Sequence, residues 1–382
     1  MNIITIIGAR PQIIKAAAIS RSVASRHGQV NETIVHTGQH YDHNMSQVFI
    51  DELGIAPPAI NLNVGSGSHG KQTAAMLSGI EEILLDQKPH WLVIYGDTNS
   101  TLAAAVAASK IHIPIVHIEA GLRSFNKSMP EEVNRIVADH LSTLLFVPTQ
   151  TGVENLKHEG FDTEFKGPYS ADKPGVFLTG DLMYDNSLYY AEVAAQRSRI
   201  LDDNELYKEK FVLATIHRDS NTDNPVHLNA LIKTFIEITE EKGVELVLPL
   251  HPRTRKMMEV NLTSGNQQQL SQSKLIKLIP PASFLDMIML EKNASIIMTD
   301  SGGVQKEAYF FKKPCIILRP ETEWVELLHS GTAMIADADP EKIHSAFEKL
   351  SNATDLNFDP LYGDGKAAEK MLNIMVEQTA KS

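Results

Sequence analysis

With 382 residues, 43% of them hydrophobic, the chain is too long for one ordinary core and predicts two domains of similar size. A formal net charge of -12 argues against a nucleic-acid partner, because phosphate backbones recruit an excess of Lys and Arg that is missing here. Cys315 is the single cysteine, which excludes an internal disulfide and a thiolate-cluster metal site and fits a reducing cytoplasm.

In chain order, MNIITII runs straight into Gly8 and Arg10 without a basic segment or a small-residue cleavage site, so it predicts a buried first strand rather than a leader. No stretch is long enough to span a bilayer, and neither a membrane nor a nucleic acid is an expected partner. Further strands are predicted at Thr33–His36, Trp91–Tyr95, Ile115–Ile118 and Leu144–Val147. A second series follows at Phe211–Ile216, Leu246–Leu250, Lys274–Leu278, Ser295–Met298 and Cys315–Leu318. Short apolar runs alternate with helical patterns throughout, which is the signature of parallel sheets covered on both faces. Lys166–Gly180, rich in Gly, Pro and polar residues, is the expected linker, and Gln267–Gln269 the expected surface loop. The α/β reading is thus two doubly wound, Rossmann-like domains with a central cleft as the default binding site. They are expected at residues 1–168, with a C-terminal helix over 364–382 packing back, and at 175–361.

Two segments predict anion sites. After the first strand, GARPQIIK has one glycine where a dinucleotide fingerprint needs three, so no nicotinamide cofactor is expected. Pro11 suits the first helical position and leaves Arg10 at a helix N-terminus with Lys15 about one turn in, either as phosphate contacts or as solvated charges. The stronger signal is TDSGGVQKEA, entered directly from an apolar strand. There Ser301 is a good N-cap, Gly302 and Gly303 allow close approach of backbone N–H groups to an anion, and Glu307 lies one turn on, within reach of a ribose. An ordinary capped turn is the plainer alternative.

In open parallel sheets, chemistry gathers at the carboxyl ends of strands. Asp97, Glu119, His217 and His251 fall there, and Glu131 and Glu132 open a helix over Glu132–Leu141. Some have a plainer role: Asp97 as N-cap of a helix beginning near Thr101 and the Glu pair as complements to a helix dipole, while His117, within a strand, reads as a satisfied core histidine. No pair has the spacing of a helical zinc motif, so no metal is implied.

With these residues in this order, the sequence resembles the non-hydrolysing UDP-N-acetylglucosamine 2-epimerases over nearly its whole length. GARPQIIKAAAISR, GDTNSTLAAAVAA, HIEAGLRSFNKSMPEEVNRIVADH, ATIHR and TDSGGVQKEAYFFKKPCIILRPETEWVE carry the likeness. The resemblance implies a glycosyltransferase-B-like fold, homodimerisation, and UDP bound mainly to the C-terminal domain. It implies diphosphate contacts for Arg10, Lys15, Ser301, Gly302 and Gly303, with Arg218 and His217 near the diphosphate, and a ribose contact for Glu307. Asp97, Glu119 and Glu131 match the family's catalytic carboxylates, His217 joins the catalytic set, and Arg123 and Arg135 are candidate sugar contacts.

The expected reaction interconverts UDP-N-acetylglucosamine and UDP-N-acetylmannosamine without a cofactor, in a cytoplasmic isomerase. The hydrogen on carbon 2 is not beside a carbonyl, so simple deprotonation meets a prohibitive barrier. Anti elimination of UDP to a glycal, followed by re-addition, avoids it. Some departures point elsewhere: Gln12 replaces a frequent Glu, Ser220 stands where Glu is usual, and Tyr41 follows Gln39 and His40 where substrate-activated relatives have Arg. The stretch from Glu119 to Glu131 is short, and GARPQ, SGSHGKQT and ETEWVE resemble the UDP-2,3-diacetamido-glucuronic acid 2-epimerase branch. Arg123 and Lys127 would then receive a sugar carboxylate. That epimerase, or a sugar transferase of the same fold, is the alternative activity.

Overall fold

The computed structural model describes residues 1–26, 28–39, 54 and 57–381. Two compact units divide the chain, Met1–Asn186 with Pro360–Ser382, and Ser187–Asp359.

The first unit holds seven parallel strands: β1 Asn2–Ile7, β2 Asn31–His36, β3 Ile60–Asn61, β4 Trp91–Tyr95, β5 Ile115–Ile118, β6 Leu144–Val147 and β7 Gly175–Leu178. Their spatial order is β3-β2-β1-β4-β5-β6-β7. The central strands are apolar on both faces because helices cover both faces; Leu92, Val93, Ile94 and Tyr95 of β4 are all fully buried. The Asn99–Lys110 helix lies close on the sheet because Ala103, Ala104, Ala105, Ala107 and Ala108, each 0% exposed, keep its inner face thin.

The second unit repeats the plan with six parallel strands: β8 Phe211–Thr215, β9 Glu245–Pro249, β10 Ile276–Ile279, β11 Ile296–Thr299, β12 Cys315–Ile317 and β13 Ala333–Ile335. Their order is β10-β9-β8-β11-β12-β13. Strand order reverses between β1 and β4 in one sheet and between β8 and β11 in the other. Those are the switch points beyond which doubly wound sheets bind ligands.

The chain departs from the sequence expectations in several places. β3, β7 and β13 were not predicted; each is only two to four residues long and lies at a sheet edge, where apolar patterning is weakest. The expected linker Lys166–Gly180 contains β7, paired with β6 from Leu144↔Gly175 to Val147↔Leu178. The first unit therefore runs on to Asn186 rather than ending near residue 168. Gln267–Gln269 is not a loop but part of the Ser264–Gln272 helix, capped by Thr263. The C-terminal Ala367–Thr379 helix belongs to the first unit: Trp91 Nε1 donates to Thr379 Oγ1 at 2.7 Å, and Asp185 accepts from the N–H groups of Ala367 and Ala368 at 3.0 and 2.8 Å. No helix among the described residues is long and apolar enough to cross a membrane.

Candidate active site

At the switch point of the first unit, the strand ends are tied together by Gln12. Its side chain is 2% exposed, and Oε1 accepts from the N–H groups of Gly8 and Ala9 at 2.9 and 3.1 Å. Nε2 donates to the Tyr95 carbonyl at 2.9 Å and reaches Thr98 Oγ1 at 2.9 Å. The turn after β1 is thereby fixed to the turn after β4. A carboxylate in this place could not donate to Tyr95.

Asp97 and Glu119 leave the ends of neighbouring strands β4 and β5. Asp97 is not a cap, since Thr98 caps the Asn99–Lys110 helix by accepting from Thr101 N. Instead Asp97 pairs with Arg135, and its backbone carbonyl accepts from Asn134 Nδ2 at 2.9 Å. Glu119 pairs with Lys15 and sits at φ 69°, a left-handed conformation that costs a non-glycine residue about 1–3 kcal/mol. An added side chain at Gly96 would reach within 3.0 Å of Glu119 Oε2, so the glycine gives this carboxylate its space.

Adjacent Glu131 and Glu132 part company. Glu132 is 1% exposed and accepts from Ser124 N at 2.9 Å, Ser124 Oγ at 3.0 Å, Phe125 N at 2.9 Å and Arg135 at 3.0 Å. Burial works to raise its pKa, but the Ser124 and Phe125 hydrogen bonds and the Arg135 charge hold it below the usual range. Glu131 is exposed, and no contact among the described residues brings it to Asp97 or Glu119. The helix over Pro130–Leu141 starts two residues earlier than predicted and presents Glu132, Arg135 and Asp139 at i, i+3 and i+7 on one face. Burial opposes the charge on Arg135, yet Asp97, Glu132 and Glu119 together raise its pKa. Two cations, Lys15 and Arg135, thus hold two carboxylates, Asp97 and Glu119, at adjacent strand ends.

Arg123 corrects an expectation. Its side chain is 1% exposed, Nη1 lies 2.7 Å from Asp139, and Nε and Nη2 bond both oxygens of Glu159 at 2.7 and 2.6 Å. It is consumed inside the fold and does not await a sugar carboxylate. Lys127, four residues on, is exposed, as is Arg10. Tyr41 and His40 lie outside the described residues.

In the second unit, the sequence reading passed over Asp300, the residue that organises the switch point. It is 0% exposed and accepts from the N–H groups of His217 and Arg218 at 3.0 and 3.1 Å, from Asn221 Nδ2 at 3.1 Å and from His217 Nδ1 at 3.0 Å. Burial works to raise the Asp300 pKa, but the His217 bond and charge, with Asn221 and Arg218, hold it below the usual range. With Nδ1 committed and the His217 side chain 51% exposed, Nε2 is the nitrogen left for a ligand.

Beside it, Ser301 caps the Gly302–Phe310 helix, its N–H donating to Thr299 Oγ1 at 2.9 Å. A Cβ at Gly302 would come no closer than 3.6 Å to a neighbour, and one at Gly303 no closer than 3.8 Å. Packing alone therefore does not require these glycines. Glu307 lies part-exposed on this helix with the Glu291 carboxyl beneath it. Burial pushes the Glu291 pKa well up, and the charge and hydrogen bond of Glu307 push it further. His251 is a cap: its Nδ1 accepts from Arg253 N at 3.3 Å. Among the described residues no group of three or more His, Cys, Asp and Glu could hold a metal ion.

Two all-parallel doubly wound units with polar clusters at their switch points define a glycosyltransferase-B-like α/β protein. A family model described as UDP-N-acetylglucosamine 2-epimerase matches residues 23–376, and the chain belongs to that family. It is 46% identical over 376 residues to a UDP-N-acetylglucosamine 2-epimerase homolog of Methanococcus maripaludis, covering 98% of this chain and 99% of the other. It is 43% identical over 377 residues to the UDP-2,3-diacetamido-2,3-dideoxy-D-glucuronate 2-epimerase of Pseudomonas aeruginosa, covering 99% and 100%. The crystal structure of Methanocaldococcus jannaschii UDP-GlcNAc 2-epimerase in complex with UDP-GlcNAc and UDP superposes with a TM-score of 0.81 at 38% identity, covering 99% of this chain and 100% of that one.

Proposed function

We propose that this chain inverts carbon 2 of a UDP-linked N-acetylated hexosamine, interconverting UDP-N-acetylglucosamine and UDP-N-acetylmannosamine by elimination and re-addition of UDP. The observation that carries the reading is the placement of Asp97 and Glu119 at adjacent strand ends, each carboxylate held by its own cation. A base takes the carbon 2 proton as the bond from carbon 1 to the UDP oxygen breaks, leaving a double bond between carbons 1 and 2. An acid then protonates carbon 2 from the other face, and the UDP oxygen re-forms the bond to carbon 1.

Asp97, Glu119 and the exposed Glu131 are the acid and base candidates. Leaving-group charge is met by His217, oriented through Asp300, and by the Ser301-capped helix N-terminus with Gly302 and Gly303. Arg10, Arg218 and Lys15 add positive charge for the diphosphate, Glu307 accepts from the ribose hydroxyls, and Arg135 meets the sugar. Family resemblance further supports a homodimer at work in the cytoplasm.

The likeness to the Pseudomonas aeruginosa enzyme favours a second reading, with UDP-2,3-diacetamido-glucuronate as substrate. Arg123 gives it no support, because its guanidinium is already spent on Asp139 and Glu159. Incubation of each UDP sugar with the protein alone, followed by chromatography of the 2-epimers, separates the readings. The N-acetylglucosamine pair is expected to equilibrate; no epimer from either sugar, or stoichiometric release of UDP, overturns the proposal.

A further inference from the structure

Beneath the turns bearing Asp97 and Glu119 lies a buried polar cluster that the proposed chemistry does not use. His117, on β5, is 0% exposed. Its Nδ1 lies 2.7 Å from Asp139 Oδ1, and its Nε2 lies 2.8 Å from the carbonyl oxygen of Gly96. The second oxygen of Asp139, also 0% exposed, accepts from Gly121 N at 3.1 Å and from Arg123 at 2.7 Å.

Carbonyl and carboxylate oxygens only accept, so the ring that makes both contacts has an N–H on each nitrogen. Charge balances locally, His117 and Arg123 against Asp139 and Glu159, which is the condition for keeping ionised groups away from water. Burial would raise the pKa of Asp139, but His117 and Arg123 hold it below the usual range.

The atoms gripped by this cluster are not arbitrary. Gly96 immediately precedes Asp97, and Gly121 follows Glu119 by two residues. Both glycines and Glu119 have positive φ, at 58°, 78° and 69°, so the two turns hold sharp conformations that need outside support. We propose that His117 is a positioning residue which, through Asp139, ties the turn after β4 to the turn after β5 and so sets the spacing of Asp97 and Glu119. This rests on the reading that those two carboxylates do the proton chemistry.

His117→Phe keeps the ring volume and removes both donors, whereas Asp139→Asn keeps the shape and removes the shared charge. Each is assayed for kcat, KM and calorimetric UDP affinity beside Asp97→Asn and Glu119→Gln. Misplacing reacting groups by about 1 Å costs on the order of 100-fold in rate, so kcat should fall about 100-fold in both cluster variants, with KM and UDP affinity kept within about threefold. A folded His117→Phe with kcat within about threefold of the parent overturns the tie. Should that variant not fold, NMR of the parent protein with ring-labelled histidine decides: two N–H groups on one buried ring are expected, and a single protonated nitrogen overturns the inference. If Asp97→Asn and Glu119→Gln themselves keep turnover, the carboxylate reading fails and the tie with it. Their loss of turnover beside an active His117→Phe removes the tie alone.

Discussion

Replacing Asp300 with Asn tests the organisation of the switch point in the second unit. The carboxylate accepts three N–H groups, from His217, Arg218 and Asn221, together with the His217 ring nitrogen, all at 3.0 to 3.1 Å. In Asp300→Asn the amide oxygen can keep the three N–H contacts, while the amide nitrogen faces Nδ1. The imidazole must then accept at Nδ1, so it can no longer meet a diphosphate as a cation with an N–H on both nitrogens. Losing one charge-assisted contact costs about 1.5–3 kcal/mol. At about 2–4 °C per kcal/mol for a unit of this size, the midpoint should fall by about 3–12 °C. Activity should fall further than stability, at least about 100-fold in kcat, the usual scale of lost acid-base or electrostatic assistance.

Calorimetry, thermal unfolding and turnover on one preparation provide the assay. Turnover within about threefold of the parent, with the folded fraction unchanged, would refute the role given to the pair. The pH dependence has a definite sign. Because the folded pKa of Asp300 lies below its ordinary value of 3.8, its stabilisation is complete above that value and is lost as pH falls below it. The difference in stability between parent and Asp300→Asn should therefore shrink only below about pH 4.

Further substitutions follow from individual contacts. Gln12→Glu removes the donor to Tyr95 and buries a carboxylate, and should cost about 1–3 kcal/mol in urea denaturation; an unchanged midpoint would contradict the tie between the first and fourth strands. Gly303→Ala should leave stability unchanged, since a Cβ there meets nothing nearer than 3.8 Å, yet weaken UDP binding about tenfold by calorimetry; equal affinity would show that no ligand approaches that turn. Glu291→Gln still donates to Glu307, while Glu291→Met does not. UDP affinity should survive the first and fall severalfold in the second, whereas equal affinities would remove Glu307 from the ribose.

Patterns that repeat along the chain were legible in the sequence. The fully buried apolar strands β4, β5, β6, β8 and β11 and the nearly all-buried β1, and the polar residue after each of several strands, could be placed from periodicity and turn residues. Short edge strands could not be, because Ile60–Asn61 and Ala333–Ile335 bury too little to leave a pattern. The partners of buried charges were also hidden. Asp300 serves His217 from 83 residues away, and Asp139 serves His117 from 22, separations at which no local rule operates.

Arg123 shows the same gap. A cation in a polar loop looks solvated until Asp139 and Glu159 are folded onto it. One signal was available and missed: Glu132, Arg135 and Asp139 share a helical face, and that spacing marks the Pro130–Leu141 helix as the organiser of the carboxylates.

The most direct test of the central claim is solvent exchange at carbon 2. UDP-N-acetylglucosamine is incubated in deuterium oxide with the protein alone and followed by proton NMR. The account predicts loss of the carbon 2 proton signal in both epimers at equilibrium, with the carbon 3 signal retained. Epimerisation without deuterium uptake, or no uptake at all, would contradict proton removal at carbon 2 and with it the roles given to Asp97 and Glu119.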